Sequence, residues 1–266
     1  MSIRSKLILI FATLCMALPA GAATRQENRV ADAADVINQL LQIPEQSVPP
    51  TLLSQAYGIA VIPHVVKVAF GLGARRGKGI VVIRKDDGSW SNPVFVTLTG
   101  GSIGWQGGAQ STDVILVFKS RRGIDGIETG KLTLGADASI AAGPVGRSAE
   151  AATDIQFQAE VYSYSRSRGL FAGVSLEGAG VTIDKKSNAA FYGEAGITPE
   201  SIFASPASSA PAVANNFVEV LTAQTRRLPK QPGMEPRVNA ETREEPRESN
   251  VRTFGIEEEP APETWQ

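Results

Sequence analysis

A chain of 266 residues, 42% hydrophobic and 20% charged, holds enough apolar material for one sizeable domain with tails or for two small ones. A formal net charge of −1, with no basic stripe to follow a phosphate backbone, excludes a general nucleic-acid binder. A single histidine and a single cysteine exclude the usual Cys/His zinc site, and no cofactor is expected.

The first twenty-two residues stand apart. Arg4 and Lys6 precede an apolar run from Leu7 to Leu18, and Ala20-Gly21-Ala22 supplies the small residues that a signal peptidase requires. The run is too short to cross a hydrocarbon core of about 30 Å. Residues 1–22 are therefore expected to be a signal peptide, with the mature protein in the periplasm, associated with the outer membrane, or secreted. Removing two basic residues and no acid takes the net charge from −1 to −3. The lone Cys15 leaves with the signal, so the mature chain has no thiol chemistry. Leu14 occupies the position before Cys15 where lipoprotein acylation needs a small residue, which argues against lipidation.

A helical stripe follows, with Val30, Ala33, Ala34, Ile37, Leu40 and Leu41 on one face and Arg29, Asp32, Asp35 and Asn38 on the other. It fits either a lid packed on the core or a membrane-surface helix, although the second would favour a more basic polar face. Pro44 ends it, and a short helix is expected from Pro49-Pro50 towards Gly58.

From Gly58 the period changes to two. Short strands are expected at Ile59–Ile62, Lys67–Leu72 and Ile80–Ile83. A hairpin through Lys85-Asp86-Asp87-Gly88 leads to Val94–Leu98, and further strands follow at Ile103–Gln110 and Val114–Phe118. Ser120–Gly130 reads as a short helix with Ser120 as its cap. Leu132, Leu134, Ala136, Ala138 and Ile140 alternate, as do Ile155, Phe157, Ala159 and Val161; Leu170–Leu176 and Val181–Ile183 complete the set. About nine short strands with few helices predict an α+β fold, mainly β: a curved antiparallel sheet or partly closed barrel under a few covering helices. Asn188–Phe191 starts a helical turn.

The expected organisation is a domain over residues 23–203, a linker and short helix over 204–228, and a disordered acidic tail over 229–266. The linker is rich in Ser, Ala and Pro, and Phe217, Val220 and Leu221 form an isolated apolar patch beyond it. The tail holds nine acids, five basic residues and six prolines, too little apolar surface to offset its ordering entropy.

No motif carries catalysis. Gly100-Gly101-Ser102-Ile103-Gly104 matches a nucleophile elbow by letter. However, the only histidine, His64, precedes it, and a strand rather than a helix follows. Gly71-Leu72-Gly73-Ala74-Arg75-Arg76-Gly77 misses the dinucleotide spacing by one residue, and Asp86-Asp87 is hairpin chemistry rather than a metal site. His64 reads as a structural histidine at a strand edge. The basic residues are more informative. Arg75, Arg76 and Lys78, then Arg84 and Lys85, then Lys119, Arg121 and Arg122, then Arg166 and Arg168 all fall at inferred strand ends. Gathered on one rim, they would hold anionic headgroups, with Tyr164 and Phe171 adding interfacial contacts. The candidate lipid-binding set is therefore Arg75, Arg76, Lys78, Arg121, Arg122, Arg166, Arg168, Tyr164 and Phe171; the same cations also fit an ordinary solvated loop surface.

The run from Tyr162-Ser163-Tyr164-Ser165-Arg166-Ser167-Arg168-Gly169-Leu170-Phe171 to Gly178 closely resembles the signature of the SYLF lipid-binding domain family. Ala56–Pro63, Gly79-Ile80-Val81-Val82, Ser89-Trp90-Ser91-Asn92-Pro93 and Gly143-Pro144-Val145-Gly146-Arg147 resemble further landmarks in order, so the likeness covers roughly Val30–Tyr192. The resemblance implies a non-catalytic domain that binds membrane phospholipids, phosphoinositides in eukaryotic members, with actin as a partner in fungal ones. Exported bacterial members meet no actin and little phosphoinositide. The expected function is thus binding of anionic phospholipids at an envelope membrane. The alternative is an envelope adaptor or structural protein that binds another protein through its sheet edge or C-terminal segment.

Overall fold

A computed structural model of the chain describes residues 24–40, 48–145, 158–167 and 170–226. The expected signal peptide, the expected acidic tail and Arg168 lie outside the described residues.

Helix α1 (Arg25–Leu40) begins on a reciprocal cap. The Thr24 hydroxyl accepts the Glu27 N–H at 3.2 Å, and the Glu27 carboxylate accepts the Thr24 N–H at 2.5 Å. Val30, Ala33, Ala34, Ile37 and Leu40 are buried, as the stripe predicts, and Val36 is buried with them, while Leu41 lies outside the described residues. A short helix α2 (Pro50–Ser54) follows, and then two very long strands, β1 (Gly58–Ile83) and β2 (Val94–Phe118).

These two strands replace six shorter ones expected from the sequence. The stretches around His64 and Gly73–Gly79 look like breaks because they are polar or rich in glycine. Backbone pairing nevertheless runs from Gly58↔Phe118 to Val81↔Val94, with irregularities between Ile62 and Val65 and between Ala69 and Gly71. His64 occupies the first of these with φ 52, an uncommon conformation for a residue bearing a side chain. The expected Asp-Gly turn joins the strands. Gly88 has φ 80, and Asp87 accepts hydrogen bonds from the Ser89 N–H and hydroxyl.

β1 also crosses back over itself. A Cβ on Gly79 would stand 2.1 Å from the Val61 carbonyl oxygen, and one on Gly77 would stand 2.6 Å from Val65. Only glycine permits that approach. The crossing places alternate residues of both limbs in two cores: Ile59, Val61, Ile80 and Val82 in one, and Ala60, Ile62 and Val81 in the other.

Helix α3 (Arg121–Glu128) leads to β3 (Lys131–Thr133), β4 (Ile140–Ala142), β5 (Val161–Ser167), β6 (Leu170–Gly173) and β7 (Gly180–Ile183). The sheet runs β3-β7-β2-β5-β4, with β1 on β2 and β6 on β5. Every pairing is antiparallel except β4 with β5. The result is an α+β fold with more strand than helix and a strongly curled half-barrel sheet, as expected. The alternating run from Leu132 to Ile140 is not one strand. Gly135 has φ 87, and the Asp137 carboxylate accepts the Thr133 N–H at 2.6 Å, so turn chemistry splits it into β3 and β4.

Helices α4 (Lys185–Tyr192), α5 (Pro199–Ala204) and α6 (Ala212–Arg226) complete the described chain. The structure departs from the sequence reading at residues 204–226. Instead of a linker with a detached helix, Ala214, Phe217 and Leu221 of α6 are buried in the core that also holds the stripe of α1. The Trp90 indole donates to the Thr225 hydroxyl at 3.3 Å, and Asn92 donates to the Pro206 carbonyl at 3.0 Å. Three apolar residues suffice for a helix when a complementary face awaits them. A chain ending after Leu228 should therefore melt within a few degrees of the full chain. One ending after Ala204 should lose about 4 kcal/mol, from exposure of Phe217 and Leu221, and about 10 °C in thermal denaturation.

Candidate functional site

Arg166 of β5 stands opposite Asp113 of β2 in the ladder. Its Nη2 and Nε reach Asp113 Oδ2 at 2.5 and 2.8 Å. Asp113 retains only 8% side-chain exposure, and its Oδ1 accepts the His64 N–H at 2.9 Å. The His64 ring lies 3.7 Å from Asp113 and 3.8 Å from Asp32 of α1. Arg166 also donates to Gln39 of α1, and its guanidinium is 5.9 Å from the centre of the Phe171 ring. This residue ties β2, β5 and α1 together. Each of its three guanidinium nitrogens has a protein partner, which gives this cation a role in holding the fold.

Arg75, Arg76 and Lys78 follow one another along β1 but meet different surroundings. Lys78 Nζ contacts Asp184 Oδ2 at 2.6 Å, while Asp184 caps α4 by accepting the Ser187 N–H at 3.2 Å. Burial pushes the Asp184 carboxyl up, but the Lys78 ammonium and the Ser187 hydrogen bonds outweigh it and hold it below the usual carboxylate range. Arg75 is half-buried and donates to the Ser175 carbonyl at 3.3 Å. Burial lowers its pKa, yet an arginine there stays charged at neutral pH. Arg76 is exposed and has no ion-pair or hydrogen-bond partner among the described residues.

The remaining candidates sit elsewhere. Arg121 pairs with Asp125 at 3.0 Å along α3, and Arg122 lies 3.8 Å from Glu160. Both are exposed, and pairs of this kind contribute little. Tyr164 and Phe171 are buried. The Tyr164 hydroxyl donates to the Pro144 carbonyl at 3.2 Å, and burial pushes its pKa upward. The nine candidates are thus divided among separate clusters, and the two aromatic ones serve the core. Gly100–Gly104 runs as strand within β2, so the backbone turn that a nucleophile elbow needs is not formed around Ser102.

Two of the sequence landmarks meet in space. The Tyr164 ring lies so close to Gly143 that a Cβ there would stand 2.0 Å from Tyr164 Cζ, and a Cβ on Gly173 would stand 2.3 Å from the Gly143 carbonyl oxygen. Gly143 N–H donates to the Ser163 carbonyl at 3.0 Å, and the Ser163 hydroxyl donates to the Val174 carbonyl at 2.5 Å. The family model described as Ysc84, Las17-binding protein actin regulator, matches residues 99–224, a span that contains this whole arrangement. The chain belongs to the Ysc84, or SYLF, family.

Among its relatives, the SH3 domain-containing YSC84-like protein 1 of Xenopus laevis is 34% identical over 214 residues, 79% of this chain and 63% of the relative. Protein YSC84 of Saccharomyces cerevisiae is 39% identical over 153 residues, 56% of this chain and 32% of the relative. LAS seventeen-binding protein 3 of the same yeast matches equally, at 39% over 153 residues, 56% of this chain and 33% of the relative. The chain therefore spans between one third and two thirds of the length of these relatives. One of these names states a binding activity, another an SH3 domain, and none states an enzymatic activity.

In this SYLF domain the other landmarks are packing points as well. Gly79 lies at the β1 self-crossing. In the Ser89–Pro93 landmark, Trp90 lies under the Arg84 guanidinium at 4.5 Å, and buried Ser91 accepts the Ile83 N–H at 3.0 Å. Sequence reasoning missed Asp113, Gln39 and Asp184, the partners that decide which cations are free. Their long sequence separation leaves no local signal.

Proposed function

We infer that this SYLF domain binds anionic phospholipids at the surface of a bacterial envelope membrane, without catalysis, after export directed by residues 1–22. One observation supports the reading above the others: the charge on the β1–β2 pair is one-sided. No acid occurs between Glu45 and Asp86 or between Asp87 and Asp113, whereas β1 carries Lys67, Arg75 and Arg76, besides Lys78, which Asp184 pairs. The single acid of β2, Asp113, is consumed by Arg166. A chain that is slightly acidic overall thus has a locally cationic ribbon, which an anionic surface attracts. Binding of a protein partner is the second reading. The family description and one relative name a Las17-binding activity, and among the described residues β1 pairs with β2 alone.

Flotation with vesicles separates the two. The full chain should float with phosphatidylglycerol vesicles at low salt, release at high salt, and ignore phosphatidylcholine vesicles. Replacing Lys67 and Arg76 together with glutamine should weaken anionic binding about thirtyfold, at roughly 1 kcal/mol per basic residue, with the melting temperature unchanged. Binding that ignores both charge and salt would contradict the reading.

A further inference from the structure

The central part of the β1–β2 pair leaves the sheet. β2 pairs with β7 over Val96–Thr99 and with β5 over Asp113–Phe118, so among the described residues the stretch between these spans pairs with β1 alone. β1 makes an excursion there and returns, because Gly77 touches Val65 and Ile62. Residues 66–76 and 100–111 therefore form a two-stranded arch whose foot is the glycine crossing. Its bend is the irregularity between Ala69 and Gly71. Six residues from foot to bend allow a reach of about 20 Å.

The arch presents apolar surface to solvent. Val66 and Val68, two residues apart on one face, are 47% and 42% exposed, and across from them lie Ser111 and Ala109. Leu170, 58% exposed, follows the β5 residues paired next to Asp113, at the foot of the arch. These three are the exposed large apolar residues of the described chain. The same arch carries Lys67, Arg75 and Arg76, and no acid.

We propose that this arch is the part of the domain that meets the lipid, its exposed Val66 and Val68 seated at the acyl boundary of an anionic bilayer and its cations at headgroup level. The inference rests on the lipid-binding reading and adds where and how deeply the domain meets the membrane. Charge selects the occupant: an apolar surface collared only by cations complements an anionic interface. The crossing at Gly77 and Gly79 keeps the arch preformed, and the backbone groups on its two outer edges confine it to the hydrated interface rather than the hydrocarbon core.

The test uses the full chain with Cys15→Ser and Val68→Cys, the latter bearing an environment-sensitive nitrobenzoxadiazole probe. Phosphatidylglycerol vesicles should shift its emission to the blue, and a spin-labelled acyl chain should quench it. In parallel, Val66→Thr with Val68→Thr, a β-branched exchange at exposed positions, should weaken vesicle binding about tenfold while melting as the parent does. If the parent binds but the probe stays silent and V66T/V68T binds equally well, the arch proposal is overturned and the lipid reading stands. If the parent binds no vesicle, the reading itself falls and the arch proposal with it. If the probe instead responds to protein concentration without vesicles, and V66T/V68T abolishes a dimer in sedimentation, a second copy covers the arch and the proposal is overturned.

Discussion

Replacing Arg166 with glutamine is expected to cost the domain about 3 kcal/mol and to lower its melting temperature by about 10 °C. The loss comes from Asp113, which would remain buried with its charge unmatched after the 2.5 Å contact is removed. A second change makes the prediction specific. Asp113→Asn in the Arg166→Gln background removes the stranded charge and keeps an oxygen for the His64 N–H, so it should recover part of the lost stability. Chemical denaturation of the parent, the single variant and the double variant measures this directly. An Arg166→Gln variant as stable as the parent would show that the guanidinium is free for a ligand.

Gly143→Ala should be at least as damaging. The added methyl would meet three ring atoms of Tyr164 at 2.0–2.4 Å. Tyr164 is fully buried with its hydroxyl held by Pro144, so the ring has nowhere to move. Overpacking of this severity costs about 3 kcal/mol or more. Gly101→Ala is the control: it is exposed on the arch, a Cβ there meets nothing within 4 Å, and it should melt within about a degree of the parent. Equal melting temperatures for both variants would refute the account of the family signature as a packing device.

That account explains what was legible in the chain. The Asp87-Gly88 turn, the α1 stripe and the mainly β character are local properties, and each is written in a few consecutive residues. The fusion of six strands into two was hidden because the glycines that look like breaks are there for the crossing at Gly77 and Gly79. The docking of α6 was hidden because Phe217 and Leu221 look isolated until α1 is set beside them. The candidate site fared unevenly for a related reason. A basic residue at a strand end looks the same whether or not an acid faces it. Arg166 and Lys78 proved to face Asp113 and Asp184, 53 and 106 residues away, whereas Arg76 remained exposed and unpaired among the described residues.

One titration shows whether the cations of the β1–β2 ribbon draw the SYLF domain to anionic lipid. The measurement is the partition coefficient of the full chain on phosphatidylcholine vesicles containing increasing fractions of phosphatidylglycerol, at constant low salt. The coefficient should rise about thirtyfold or more across the series and collapse to near baseline in the Lys67→Gln, Arg76→Gln variant. A partition coefficient that stays flat as anionic lipid is added would contradict that attraction.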